Sequence, residues 1–141
     1  MKRRLPLKST AISGANPLRA MTGAFTASQE RAPDKGPIVL YCDLAVDPTR
    51  EQEMLHYFRK EFRPAAQKFN GYIDVKMLKF RKVVQGGPAP ASSINYRFQL
   101  TYESEEKRQE WIASEVHQRV WSLVEDTVVN KSYLVLLTDS V

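Results

Sequence analysis

Hydrophobic positions begin to follow regular patterns at Ile38. The run from Ile38 to Val46 is almost continuously apolar, and Asp43 is its one charge, which predicts a central strand buried on both faces. Further along, apolar residues recur at steps of three and four, which predicts a helix with a single apolar stripe. That stripe consists of Leu55, Phe58, Phe62, Ala65 and Phe69.

The residues around this helix are those expected at its ends. Asp47 suits the N-cap and Pro48 the first helical position, where a missing N–H costs nothing. Pro64 predicts a bend in the last turns. Asn70-Gly71 predicts the end of the helix and entry into a strand.

Two strands follow, at residues 72–84 and 94–102, joined by a loop over 85–93 that is rich in Gly, Pro and Ser. The second of them has a clear period of two. One face carries Ile94, Tyr96, Phe98, Leu100 and Tyr102, and the other carries Asn95, Arg97, Gln99 and Thr101.

A second helical region starts at Ser104 with a capping-box pattern. We expect it to run to about Val129, with a break near Ser114, and a last strand to cover residues 132–137. The order βαββαβ predicts an α+β, ferredoxin-like fold, in which an antiparallel sheet carries two helices on one face. The other face of the sheet then needs a cover.

Charge separates the chain into two parts. The net charge is +5 with an isoelectric point near 9.4, yet residues 1–36 hold seven basic and two acidic side chains, which leaves fourteen of each in the rest. The predicted domain, 37–141, is therefore neutral, which argues against nucleic-acid binding. No stretch approaches the roughly 18 apolar residues of a membrane span. The single cysteine, Cys42, excludes an intrachain disulfide and is expected in the core.

Residues 1–36 have no sustained period and are predicted to lie outside the fold. Arg3-Arg4-Leu5-Pro6-Leu7-Lys8 resembles a twin-arginine export signal, and moderately apolar, small residues follow it. The resemblance predicts export to the periplasm, and the alternative is a basic tail on a cytoplasmic protein.

Three junctions carry a resemblance to a known family. They are Val46-Asp47-Pro48-Thr49-Arg50-Glu51 at the first helix, Phe69-Asn70-Gly71-Tyr72 at its end, and Tyr102-Glu103-Ser104-Glu105-Glu106 before the second helix. Together they make residues 38–137 resemble the antibiotic-biosynthesis monooxygenase-like family of dimeric α/β barrels. The resemblance implies a homodimer whose sheets face one another, with a pocket in each protomer. The family includes cofactor-independent oxygenases, haem-degrading members and members without known activity, so fold alone does not assign a function.

His117 is the candidate for acid–base work, because imidazole titrates near neutral pH. It lies between Trp111 and Trp121, and a packing or surface role is the alternative. Relatives usually place a His where this chain has Trp111. Both tryptophans are expected as core or interface anchors, with ligand stacking by Trp121 as the alternative. His56, in a charged helix, is expected to be solvated.

The polar row Asn95, Arg97, Gln99 and Thr101 is the strongest candidate for ligand binding. Arg97 suits a carboxylate or phenolate, Gln99 suits its orientation, and Tyr41 adds stacking area. Pairing of Arg97 with Asp43 or Asp74 is the alternative. We expect no metal site, since two distant histidines do not form one, and no bound organic cofactor.

Three functions follow from these residues. The first is an exported homodimer that binds a small organic ligand and acts as a cofactor-independent, monooxygenase-like enzyme, with His117 or Arg97 in the reaction. The second is a non-catalytic ligand-binding or assembly protein on the same scaffold. The third is haem binding or degradation through His117 and Trp121.

Overall fold

A four-stranded antiparallel sheet forms the centre of the computed structural model, which describes residues 36–141. The strands are β1 (Ile38–Leu44), β2 (Tyr72–Lys79), β3 (Tyr96–Tyr102) and β4 (Leu134–Asp139). Their order in the sheet is β2-β3-β1-β4, and every neighbouring pair is antiparallel. This arrangement confirms the ferredoxin-like fold. The predicted leader lies outside the described residues.

The first helical region has four parts. A 3₁₀ turn at Pro48–Arg50 leads into α1 (Glu51–Tyr57), a π-helical turn at Phe58–Phe62 and α2 (Arg63–Ala66). The π turn ends two residues before Pro64, which has no N–H to donate to the carbonyl four residues earlier. The predicted bend is therefore a local change of helical pitch.

Side-chain caps start the helices where the sequence places them. The Asp47 carboxylate accepts the Thr49 N–H at 2.9 Å. Ser104 caps α3 (Glu105–Ile112), and the Ser114 hydroxyl accepts the His117 N–H at 3.1 Å at the start of α4 (Glu115–Glu125). The predicted break near Ser114 is confirmed.

The strand boundaries differ from the predicted ones by two to five residues. β2 ends at Lys79 because its partner β3 begins opposite it, at Tyr96. Beyond that pair only the Phe80 N–H continues the ladder, donating to the Asn95 carbonyl at 2.8 Å. Residues 81–93 therefore leave the sheet as a long loop.

The hydrophobic core lies between one face of the sheet and the helices. Phe62 has its ring centroid 5.2 Å from that of Phe98 in β3, and 5.6 Å from that of Trp121 in α4. Both phenylalanines are fully buried, as the apolar stripe and the strand period predict. No helix among residues 36–141 has the length and apolar character of a membrane span.

The second face of the sheet, which we call the open face, has no helix over it. Cross-strand pairing places Tyr41, Gln99, Lys76 and Leu136 side by side on it. The edge strand β4 is exposed along its whole length. Apolar side chains on such a strand need a partner surface.

Gly71 provides a test of the packing between the first helical region and α3. Its φ is +100°, and a Cβ there would overlap the Lys107 side chain at Cβ and Cγ. Left-handed geometry costs an alanine about 1–2 kcal/mol, and overpacking adds about 1–3 kcal/mol. We expect Gly71→Ala to lower the free energy of unfolding in urea by both amounts.

Gly86 is the matched control, with a φ of +85° and nothing within 4 Å of its Cβ position. Gly86→Ala should lower the free energy of unfolding only by the cost of the left-handed geometry. Equal losses in the two variants would contradict the close approach of Lys107.

Candidate functional site

A small cavity of about 170 Å³ lies between the helix-covered face of the sheet and the helices. β1 and β3 supply its floor, α3 and α4 its walls, and the start of β4 its rim. Its lining residues include Cys42, Phe98, Trp111, His117, Trp121 and Tyr133. Most of the lining is aromatic or aliphatic, which is typical of sites for small organic molecules.

The period of each element explains why these residues meet. Alternation along a strand turns Cys42 of β1 and Phe98 of β3, which pair directly, toward the helices. His117 and Trp121 are four residues apart on α4, so they share one helix face. The break at Ser114 turns α4 back over the sheet, with His117 in its first turn.

His117 is half-buried in the cavity wall, with its ring centroid 5.3 Å from that of Trp111. Burial lowers the pKa of its imidazole below the usual 6.5, although the negative charge of Glu125 and a hydrogen bond to the Ile112 backbone act in the opposite direction. His117 is therefore neutral at pH 7. Its Nδ1 is buried and has no hydrogen-bond partner.

Trp111 presents a second unsatisfied group. Its side chain is buried and stacks on Phe69 with ring centroids 4.5 Å apart. Its Nε1 has no hydrogen-bond partner, and the only other such side-chain atom within residues 36–141 is Nδ1 of His117. A buried polar atom without a partner costs about 1–3 kcal/mol. The two residues that carry these unsatisfied atoms line the same cavity.

A chain of hydrogen bonds runs along the rim. The Trp121 indole N–H donates to the Tyr133 hydroxyl at 3.0 Å, and Tyr133 donates to Oε2 of Glu125 at 2.6 Å. Burial, and next the hydrogen bond to Glu125, raise the pKa of Tyr133. The sequence-based prediction included Trp121 but neither of its partners.

The remaining polar groups of the cavity are neutral or paired. Arg108 donates two hydrogen bonds to Glu105, each at 2.7 Å. Burial, followed by the charges of Asp43 and Glu125, raises the pKa of the Cys42 thiol to about 12. The thiol therefore stays protonated and is a poor nucleophile.

Arg97 lies on the open face, away from this cavity. Its guanidinium donates to both carboxylate oxygens of Asp43, at 2.7 and 3.1 Å, and lies 5.2 Å from the ring centroid of Tyr41. Gln99 is directly opposite Tyr41 on the same face. The predicted candidates thus fall into two groups, with His117 and Trp121 in the cavity and Arg97, Gln99 and Tyr41 outside it.

Asn95 belongs to neither group. Its side-chain oxygen accepts the Val46 N–H at 2.8 Å, and its amide donates to the Val46 carbonyl at 2.9 Å. This segment is also held by the Asp47 N–H, which donates to the Thr127 carbonyl at 2.8 Å. The Asn95 side chain therefore fixes the strand-to-helix junction, and its predicted role in ligand binding stays a prediction.

Metal and haem binding make different demands on these residues. No group of three or more His, Cys, Asp or Glu residues within residues 36–141 is arranged to hold a metal ion. The cavity of about 170 Å³ is smaller than the ~300–1,000 Å³ of sites for drug-sized ligands. Haem binding through His117 and Trp121 stays a prediction.

Comparison with known proteins supports the fold. No family model matches the chain, and no curated protein matches it. A dimeric ferredoxin-like protein of unknown function from Jannaschia sp. CCS1 is similar, with a TM-score of 0.62 and 14% identity over 74% of this chain and 100% of that one. A candidate antibiotic biosynthesis monooxygenase from Bordetella bronchiseptica has a TM-score of 0.60 and 17% identity over 76% and 99%.

A third similar structure is SnoaB, a cofactor-independent oxygenase from Streptomyces nogalater. It has a TM-score of 0.53 and 10% identity, over 77% of this chain and 94% of that one. Similarity at these identities shows a shared fold, and the neighbours include both monooxygenase-like proteins and proteins of unknown function.

The lowered pKa of His117 predicts a dependence of stability on pH. Between its lowered folded pKa and the ordinary value near 6.5, the unfolded chain binds the proton more readily than the folded chain. The contribution of neutral His117 to the free energy of unfolding is therefore complete above pH 6.5. It is lost as the pH falls from that value through the folded pKa. We expect His117→Gln to reduce the decline in free energy of unfolding between pH 8 and pH 5, measured in urea.

His56→Gln is the control, because His56 is an exposed histidine on α1. This variant should keep the decline of the unmodified protein. An unchanged decline in His117→Gln would show that His117 titrates normally in the folded state.

Proposed function

We propose that this chain is a homodimeric α/β-barrel protein that binds a small aromatic ligand carrying a hydroxyl group in the cavity between sheet and helices. The observation that carries the proposal is the pair of unsatisfied atoms, Nε1 of Trp111 and Nδ1 of His117. Both residues line the same cavity, and their rings are in edge contact. A ligand that satisfies both atoms recovers the free energy that they cost.

The chemistry of the two atoms defines the ligand group. An indole N–H only donates, whereas a neutral imidazole has one donor and one acceptor nitrogen. Because Nδ1 has no hydrogen-bond partner, we assign the hydrogen bond to the Ile112 backbone, and with it the imidazole proton, to Nε2, which leaves Nδ1 as an acceptor. A hydroxyl group accepts from Trp111 and donates to His117 at the same time.

The size and lining of the cavity define the rest of the ligand. A volume of about 170 Å³ bounded by Phe62, Phe98 and Trp121 suits one aromatic ring, and ring edges and faces favour such packing. The expected ligand class is therefore a monocyclic phenol. When a phenol is bound, His117 is the group placed to take the proton of its hydroxyl group.

Homodimerisation through the open face is the second part of the proposal. Leu134 and Leu136 of β4 are 56% and 44% exposed, which leaves apolar area to cover. The charges of this face are paired within the protomer, Arg97 with Asp43 and Lys76 with Asp74. A second copy can therefore meet the same face without repulsion between like charges. The dimeric ferredoxin-like neighbours support this arrangement.

A cofactor-independent, monooxygenase-like reaction is the enzymatic form of this proposal, and non-catalytic binding is the alternative. The similarity to SnoaB and an apolar cavity with one titratable imidazole favour the enzymatic form. Export through the twin-arginine-type leader is also proposed, on the sequence Arg3-Arg4-Leu5-Pro6-Leu7-Lys8 alone.

Phenol and benzene test the ligand class. We expect phenol to bind at least tenfold more tightly than benzene, measured by calorimetry at pH 8, because one additional well-placed hydrogen bond is worth about 1.4 kcal/mol. Trp111→Phe and His117→Phe should each remove most of this preference, whereas His56→Gln should retain it. Equal affinity for phenol and benzene would exclude the proposed role of the two atoms.

A charge on the open face tests the dimer. Leu136→Asp should convert the protein to monomers at micromolar concentration, measured by sedimentation equilibrium, because the carboxylate would be buried without a partner. Leu137→Asp is the matched control. Leu137 is 46% exposed but faces the helix side, so this variant should remain dimeric. If the unmodified protein is itself monomeric at this concentration, the proposed homodimer is refuted.

A further inference from the structure

We propose that Glu125 is a positioning residue that fixes the Trp121 indole in the cavity wall by holding the Tyr133 hydroxyl. Its consequence for binding rests on the proposed ligand site, but the geometry itself does not. Glu125 accepts from Tyr133 at 2.6 Å, and Tyr133 accepts from Trp121 at 3.0 Å. The Trp121 N–H and the Tyr133 O–H thus each donate to one defined acceptor.

The placement of Glu125 is unfavourable for the helix itself. It is the last residue of α4, where the partial negative charge of the helix end disfavours a carboxylate. The adjacent Asp126 is compensated by Arg50 at 2.9 Å, whereas Glu125 has no salt bridge among residues 36–141. Acceptance of the Tyr133 hydroxyl is the interaction that accounts for a carboxylate at this position.

Tyr133 connects two elements that form the cavity. It lies just before β4, and both Trp121 and Glu125 belong to α4. The single carboxylate thereby fixes the distance between the end of α4 and the rim of the sheet. The backbone carbonyl of Glu125 also accepts a hydrogen bond from Nζ of Lys131, at 2.6 Å. This bond ties the turn over residues 126–131 to Glu125.

Trp121 transmits this constraint to the cavity. Its ring centroid lies 4.9 Å from that of Phe98 and 5.6 Å from that of Phe62, so a rotation of the indole changes the shape available to a ligand. Loss of the Tyr133 hydroxyl would also remove the acceptor of the Trp121 N–H. Glu125 thus determines the shape of the site without lining it.

Indole N–H signals in a ¹H–¹⁵N spectrum of the ligand-free protein test the positioning. The chain contains two tryptophans, so two signals are expected, and Trp111→Phe identifies them. We expect Glu125→Leu to shift the Trp121 signal and to accelerate its hydrogen exchange at least tenfold, and Tyr133→Phe to do the same. Glu125→Gln should restore the original signal, because its amide oxygen still accepts from Tyr133.

Glu115→Leu is the matched control, since Glu115 is an exposed glutamate at the other end of α4, and it should leave the Trp121 signal in place. An unmoved Trp121 signal in Glu125→Leu would overturn the proposal. So would a shift in Glu125→Gln as large as in Glu125→Leu, because charge rather than hydrogen bonding would then be responsible.

Phenol titration separates this proposal from the proposed function. Glu125→Leu should weaken phenol binding about tenfold, and Glu125→Gln should leave it within twofold of the unmodified protein. If the Trp121 signal responds as expected but phenol binds to no form of the protein, the positioning role stands and the ligand class falls. If phenol binds with equal affinity to all of these variants, the link between Glu125 and the site is overturned.

Discussion

The alternation of side chains along β1 and β3 is the constraint on which the rest of the structure depends. Direct pairing of Cys42 with Phe98 and of Asp43 with Arg97 assigns neighbouring residues to opposite faces of the sheet. One face is covered by helices and contains the cavity, and the other is open. Because the side-chain period of a strand is two, a shift of one residue in this pairing would exchange the two environments.

Charge follows the same division. On the open face each cation is matched by a carboxylate of the same protomer, as in the pair Arg97–Asp43. Around the cavity, Arg108 is matched by Glu105 and burial keeps His117 neutral. With these charges compensated, the proposed ligand specificity depends on hydrogen-bonding groups, and Trp111 and His117 supply the two buried atoms that have no partner within residues 36–141.

The parts of the fold that depend on local patterns could be predicted, and those that depend on distant contacts could not. The period of β3 and the cap at Ser114 are written in adjacent residues, and both are confirmed. The sequence also separates Arg97 from Phe98, but only the position of the helices reveals which face holds a cavity. Glu125 and Tyr133 meet across a turn of irregular structure, and no short-range pattern indicates that contact. A carboxylate at the end of a helix was the one available signal.

The position of His117 bears on how far the chemistry of similar proteins can apply here. The resemblance drawn from the sequence implies a His at the position that Trp111 occupies, at the end of α3. In this chain the imidazole comes from the first turn of α4, and the break at Ser114 brings its ring centroid to 5.3 Å from that of Trp111. The imidazole of this cavity therefore comes from α4 and not from α3. Its partner is an indole N–H, which donates a hydrogen bond but takes up no proton. In the proposed ligand complex, proton transfer would therefore fall to His117, and Trp111 would orient the hydroxyl group that carries the proton.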